Sequence, residues 1–275
     1  MFLKRIFCFC ILLFICQISL AAKAMRIITL APNLMELLCD IGAEDSLVGV
    51  AQDPSMPLPP ALKKLPIVSV FGHVDFERIV ALKPDLILAW KNGNSAAQIA
   101  KLKALHLKVV ALSFNHLNDL PSALVTLGQL TGKNKIAQEK ASMAKDTLSS
   151  LKKRYANQKK VRVFYEISSS PLMTINDQTF VGDAITLCGG ENIFGRLFES
   201  APIVSLASVL KRDPEVILLS GELKNQPELK TYWLQFSQIT AVYQKRIYLT
   251  DPALERFSLK AISAVAKLCQ QIHTH

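Results

Sequence analysis

The sequence predicts an α/β fold: two Rossmann-like lobes with parallel sheets, joined by one long rigid α-helix, with a cleft between the lobes. Three observations carry this. Short runs rich in Ile, Val and Leu alternate with helical patterns, the order that builds parallel sheets covered on both faces. From Leu117 to about Asn157 there is no strand candidate, and residues 134–155 hold neither Gly nor Pro. Finally, "DFERIVALKPDLILAW" at 75–90 is echoed by "SLASVLKRDPEVILLS" at 205–220, at a constant offset of 130 residues.

The expected strands are Arg26–Leu30, Leu47–Val50, Leu86–Ala89 and Val109–Leu112 in the first half. In the second half they are Val161–Ile167, Leu172–Ile175, Val216–Ser220 and Arg246–Leu249. Helical spacing falls on Met35–Ile41, Phe76–Ala81, Ala96–Leu105, Phe180–Leu187, Leu206–Leu210 and Leu259–Ile272. Between the halves, Asn134–Tyr155 reads as a single helix whose apolar face carries Ile136, Met143, Leu148 and Leu151. At 1.5 Å per residue it spans roughly 33 Å, the width of a small domain. The division is therefore 25–133, a bridging helix at 134–157, and 158–275.

The echoed stretch is a helix–turn–strand unit used once per lobe. Pro84 and Pro214 each end a helix that cannot continue through them, and Leu86-Ile87-Leu88 and Val216-Ile217-Leu218 then enter the sheets. Two such lobes face each other across a cleft, and ligands favour both lobe interfaces and the carboxyl ends of parallel strands.

Residues 1–24 stand apart. Lys4 and Arg5, an apolar run from Ile6 to Ile18, then Ala22-Lys23-Ala24 follow the order of a secretory signal peptide cleaved before Met25. The run is too short to span a bilayer. Ile15 ahead of Cys16 argues against lipid attachment at that cysteine. The formal charge is +10; removing Lys4, Arg5 and Lys23 leaves +7 on the exported chain. Its basic residues are scattered among acidic ones, with no basic block or aromatic-interleaved stripe, which excludes nucleic-acid binding as a reading. Three cysteines remain after cleavage. An oxidising compartment permits one bridge and one spare thiol: Cys188–Cys269 is the expected pair, with Cys39 a small hydrophobe in "MELLCDIGA". No CxxC spacing suggests a metal site.

The segments "ITLAPNLMELL", "LVGV", "FERIVALKPDLILAW", "PLMT", "LCGGENIF", "DPEVILLS" and "ALERFS", in that order, resemble the periplasmic cobalamin-binding proteins of vitamin B12 ABC importers. More broadly they resemble the single-bridging-helix binders of siderophores, haem and B12. The resemblance runs from about Arg26 to Ile272. It implies a periplasmic, monomeric carrier that takes a corrinoid as transported ligand, not as cofactor, and hands it to an ABC importer permease in the inner membrane. Trp90 matches a tryptophan lining the B12 cleft, and Phe71 stands where a tryptophan is common. Asp251 and Arg256 match polar residues that reach the corrin side chains. Asp53 takes the place of a tyrosine that packs on the ligand, Met173 lies near an aromatic position, and Ala201 replaces a further tryptophan. The family's cysteine pair falls on Cys188 and Cys269. Of its two docking glutamates, Glu77 matches the first. The second falls on Ala207, with Glu199 nearby.

The residue chemistry is compatible with that role. A corrinoid has broad apolar faces, which suit Trp90 and Phe71, and an amide-rich rim, which suits Asp251 and Arg256. Haem or a ferric siderophore is the alternative ligand; haem asks for an axial His, Tyr or Met, and only His73 lies near Phe71. A secreted enzyme is the remaining alternative. It finds no GxSxG, HExxH or dinucleotide fingerprint, and the absence of a GxxxxGK[ST] loop means this chain does not itself hydrolyse ATP to drive transport.

Overall fold

The computed structural model describes residues 25–54, 58–221 and 228–274; the expected signal peptide, residues 1–24, lies outside them. The first half contains β1 (Ile27–Thr29), α1 (Pro32–Asp40), β2 (Leu47–Gln52), β3 (Ile67–Val70), β4 (His73–Val74), α2 (Phe76–Ala81), β5 (Leu86–Trp90), α3 (Ala96–Ala104) and β6 (Val109–Leu112). Two helices follow, α4 (Asp119–Thr131) and α5 (Asn134–Tyr155). The second half contains β7 (Val161–Glu166), β8 (Ser168–Ser169), β9 (Leu172–Met173), α6 (Phe180–Leu187), β10 (Gly190–Asn192), α7 (Leu206–Arg212), β11 (Val216–Leu219), α8 (Glu228–Trp233), α9 (Thr240–Tyr243), β12 (Ile247–Leu249) and α10 (Leu259–His273). Among the described residues no helix is long and apolar enough to cross a membrane.

The N-terminal sheet runs β4-β3-β2-β1-β5-β6 and the C-terminal sheet β10-β7-β11-β12. All neighbours are parallel except β3 and β4. The two sheets share one order, β2-β1-β5-β6 matching β10-β7-β11-β12. Central strands β5 and β11 are buried along almost their whole length, which is why they read as unbroken apolar runs rather than as alternation.

The echoed stretch has a physical explanation. Lys83 and Asp213, the residues before the paired prolines, both adopt left-handed backbone, with φ of 46° and 43°. That conformation costs a non-glycine residue about 1 kcal/mol or more. An arginine opening each lobe holds the turn. Arg26 donates to the carbonyl oxygens of Leu82 and Lys83, and its backbone NH donates to Asp85. Arg162 donates to the Asp213 carbonyl at 2.8 Å, and its backbone NH donates to Glu215 at 3.0 Å. The acid after each proline thus caps the first strand of its own lobe. The N-caps of α2 and α7, Asp75 and Ser205, stand at the same offset of 130 residues.

The bridging helix α5 is unbroken over 22 residues, and two of the four residues expected on its buried face, Leu148 and Leu151, are buried there, but the other two are not. Ile136 is 40% exposed and Met143 is 64% exposed. The packed face is Ala137, Ala141, Ala144, Leu148, Leu151 and Tyr155, a 3.6-residue period in which small side chains set the approach. α4 explains why. Its Gly128 lies so close to α5 that an added Cβ there would sit 2.4 Å from the Cβ of Ala137. Gly132, at φ 72°, supplies the left-handed cap that turns α4 back onto α5. Beside Gly128 the packed residues of α5 are therefore alanines, and the larger Leu148, Leu151 and Tyr155 are buried only farther along the helix.

Cys188 and Cys269 form a disulfide joining the end of α6 to α10. The third cysteine, Cys39, is half-buried and free. Burial, with Glu44, Asp40 and Glu36 nearby, pushes its thiol up to about 11, so it is protonated and unreactive at neutral pH.

Candidate functional site between the lobes

The strand ends decide what faces the cleft. In parallel sheets the loops after the carboxyl ends carry the ligand groups. Asp53 follows β2, Phe71 follows β3, Trp90 ends β5, and Asp251 lies two residues beyond β12. Met173 is in the short β8–β9 hairpin beyond β7.

The structure brings Asp53 and Arg256 together on one pocket of about 570 Å³, with Met35, Glu36, Lys63 and Lys260 also on its wall. Its residues come from both lobes. Arg256 reaches across to Glu36 at 4.0 Å, and Asp40, one helical turn along α1, accepts from the Leu259 NH at 3.2 Å. Desolvation raises the Asp40 carboxyl above its usual range, opposed by that hydrogen bond. Acids four residues apart share one helix face, so α1 grips the segment that opens α10 at two points.

Trp90 lies elsewhere, at the head of an aromatic ladder. Its indole stacks on Phe114, centroids 5.6 Å apart and planes within 4°. Phe114 stacks on Phe257 at 4.0 Å, and Phe180 meets Phe257 edge-on at 5.4 Å. Two rings come from each lobe, so the ladder is a floor bridging them. The turn after β5 fixes Trp90: buried Asn94 accepts from the Trp90 backbone NH and donates to the Leu30 carbonyl. Gly93 leaves room for the indole, since a Cβ there would meet the ring at 2.3 Å. Trp90 Nε1 is buried and has no hydrogen-bond partner among the described residues.

Phe71 is 76% exposed at the left-handed tip between β3 and β4. His73, two residues on and opening β4, is also exposed. Asp251 caps the 3-10 turn Pro252–Glu255 through the Ala253 NH at 3.0 Å and faces Lys267 at 3.9 Å. Met173 bridges Ile203, and the segment leading to it includes Phe198, fully exposed. Glu77 is exposed in the first turn of α2. Ala207 holds the equivalent position in the first turn of α7, and Glu199 is exposed in the loop before it.

Phe114, Phe257 and Phe198 were not expected at the site. Phe257 had a signal, since it follows Arg256 directly. Phe114 and Phe198 sit in loops without periodicity, and only the tertiary fold brings Phe114 to Trp90. Among the described residues there is no cluster of three or more His, Cys, Asp or Glu able to hold a metal.

Two lobes of one sheet order, a stiff helix between them and a pocket walled from both sides define a bilobal binding protein. The chain belongs to the periplasmic binding protein family, whose pattern matches residues 27–254. A vitamin B12-binding protein of Yersinia pseudotuberculosis serotype O:1b (strain IP 31758) is 32% identical over 263 residues, covering 95% of this chain and 91% of that protein. The crystal structure of the periplasmic vitamin B12 binding protein BtuF of Vibrio cholerae superposes with a TM-score of 0.82 at 28% identity, over 90% of this chain and 96% of that one. The periplasmic haem binding protein HutB of Vibrio cholerae has the same fold, with a TM-score of 0.77 at 19% identity, over 92% of this chain and all of that one.

Proposed function

We propose that this chain is a periplasmic substrate-binding protein that captures cobalamin or a related corrinoid between its lobes and delivers it to an ABC importer permease. The observation that carries this is the likeness, across almost the whole chain, to vitamin B12-binding proteins. The site chemistry agrees. Phe71 and Phe198 offer exposed apolar area for a flat guest, worth about 1.5–3 kcal/mol per large side chain fully buried. Asp53, Arg256 and Asp251 offer polar contacts for an amide-rich rim. The unmet Trp90 Nε1 donor is one that an amide carbonyl of the guest can satisfy.

On this reading residues 1–24 are a signal peptide removed on export, residues 25–133 and 158–275 are the lobes, and 134–157 bridge them. The protein acts as a monomer, without catalysis or a resident cofactor. The floor ladder and the α1–Arg256 contacts tie the lobes together, so binding proceeds with small lobe motions rather than wide closure. Glu77 and Glu199 are the proposed docking acids. Ala207, in the first turn of α7, carries no charge, so the two lobes dock through non-equivalent positions. Exposed acids orient the encounter more than they add affinity.

Calorimetry of the exported chain with cyanocobalamin, cobinamide and haemin tests the reading. Saturable binding of a corrinoid is expected; binding of haemin alone overturns it in favour of the haem alternative, for which His73 is the candidate among the histidines.

A further inference from the structure

The C-terminal lobe holds a second pocket, of about 550 Å³, that shares no residue with the inter-lobe pocket. Its walls are largely apolar, with Leu172 in β9, Leu206 opening α7, and Leu229 and Tyr232 on α8; Ser169, Thr231, Gln235 and a second carboxylate, Glu228, add polar groups to the lining. At its base lies Glu166, the last residue of β7, 1% exposed. A carboxyl is almost never that buried without full pairing. Here only half of it is paired. Trp233 Nε1 donates to Oε2 at 2.6 Å, the one hydrogen bond of this carboxyl among the described residues. Trp233 is itself fully buried, in the cluster with Phe164 and Ile217, so the carboxyl is rigidly aimed.

The rest of the lobe does not require this arrangement. Glu166 serves the β-sheet through its backbone, accepting from the Ser220 NH at 2.8 Å; a leucine would do that equally well. The proposed corrinoid site does not use it either, and Arg256 and Asp251 lie on another element. A half-paired carboxyl under an apolar wall is what a site needs to bind a small molecule with one cationic or hydrogen-bond-donating end and a greasy body. A primary ammonium fits best. It brings the missing donor and the opposite charge together, and a charge-assisted hydrogen bond is about twice as strong as a neutral one.

We propose that the pocket formed by Leu172, Leu206, Leu229 and Tyr232 over Glu166 is an accessory binding site for a small primary amine with an apolar body. The ammonium donates to Oε1 of Glu166 while Trp233 holds Oε2, and the body lies against the leucines and the Tyr232 ring.

The chain has two tryptophans, so the Trp90→Phe protein reports on Trp233 alone. Its fluorescence is followed during titration with benzylamine, benzyl alcohol and phenylacetate. Benzylamine is expected to give a saturable change and to bind about tenfold tighter than benzyl alcohol, with phenylacetate excluded. In Glu166→Gln that preference should vanish, and in Leu206→Trp, read by calorimetry, benzylamine binding should be lost. A flat response to benzylamine, equal affinity for the alcohol, or an unchanged preference in Glu166→Gln would each overturn the proposal. Should Glu166→Gln fail to fold, the Leu206→Trp result decides alone.

Discussion

Burying Glu166 ties stability to pH, and the size of the effect follows from the structure. Desolvation raises its carboxyl to about 7 from the ordinary 4.5, only partly offset by the Trp233 hydrogen bond. An acid whose folded pKa is raised holds its proton longer in the folded state than in the unfolded one. Its protonated form costs nothing, so stability is unpenalised below about pH 4.5 and falls as pH rises through the window from 4.5 to 7. The full gap of 2.5 units corresponds to about 3 kcal/mol. Between pH 5.5 and 8 the part still to be lost is about 2 kcal/mol, roughly 4–8 °C of melting temperature for a chain of this size. Glu166→Gln keeps the shape and an acceptor for Trp233 but does not titrate. Thermal melts of both proteins at the two pH values supply the comparison. The wild type should lose that much more than the variant on going to pH 8, and the variant should be the more stable protein there. Equal pH responses would show that the carboxyl is not desolvated as described, and the argument from its burial would fail.

Trp90→Ala should weaken cyanocobalamin binding at least about tenfold, since it removes the head of the ladder and a large apolar face; calorimetry with an unchanged dissociation constant would take Trp90 out of the site. Replacing both Cys188 and Cys269 by Ala releases a link between residues 81 apart in sequence and should lower the unfolding free energy by about 2–4 kcal/mol in urea. Gly128→Val drives a side chain into Ala137 and should cost about 1–3 kcal/mol by overpacking, whereas Met143→Ala, on the solvent side of the same helix, should stay within about 0.5 kcal/mol.

How much of this was legible in the sequence depended on whether the signal was local. All eight expected strands exist in whole or part, because Ile-Val-Leu runs and their turn residues lie within a few positions of one another. β3, "IVSV", was missed because it is short and framed by Pro66 and the Phe71-Gly72 turn. α4 was missed because Pro121 near its start reads as a break, although proline is tolerated in a first turn. The first half of the buried face of α5 was misjudged for a different reason, while Leu148 and Leu151 are buried as expected. Pattern reading rewards large apolar residues, but Gly128 demands alanines. The ladder of residues 90, 114, 257 and 180, and the Glu166–Trp233 pair 67 residues apart, leave no periodic trace at all.

The bond between Cys188 and Cys269 closes a loop that threads through β10, α7, β11, α8, α9 and β12 and most of α10, leaving only β7 of the C-terminal sheet outside it. A peptidase that cleaves anywhere inside this loop opens the chain without setting a fragment adrift. The severed ends stay fastened through sulfur, and two pieces separate on a gel only once a reductant is added. Such a tether keeps both pieces of a nicked lobe at high effective concentration beside one another.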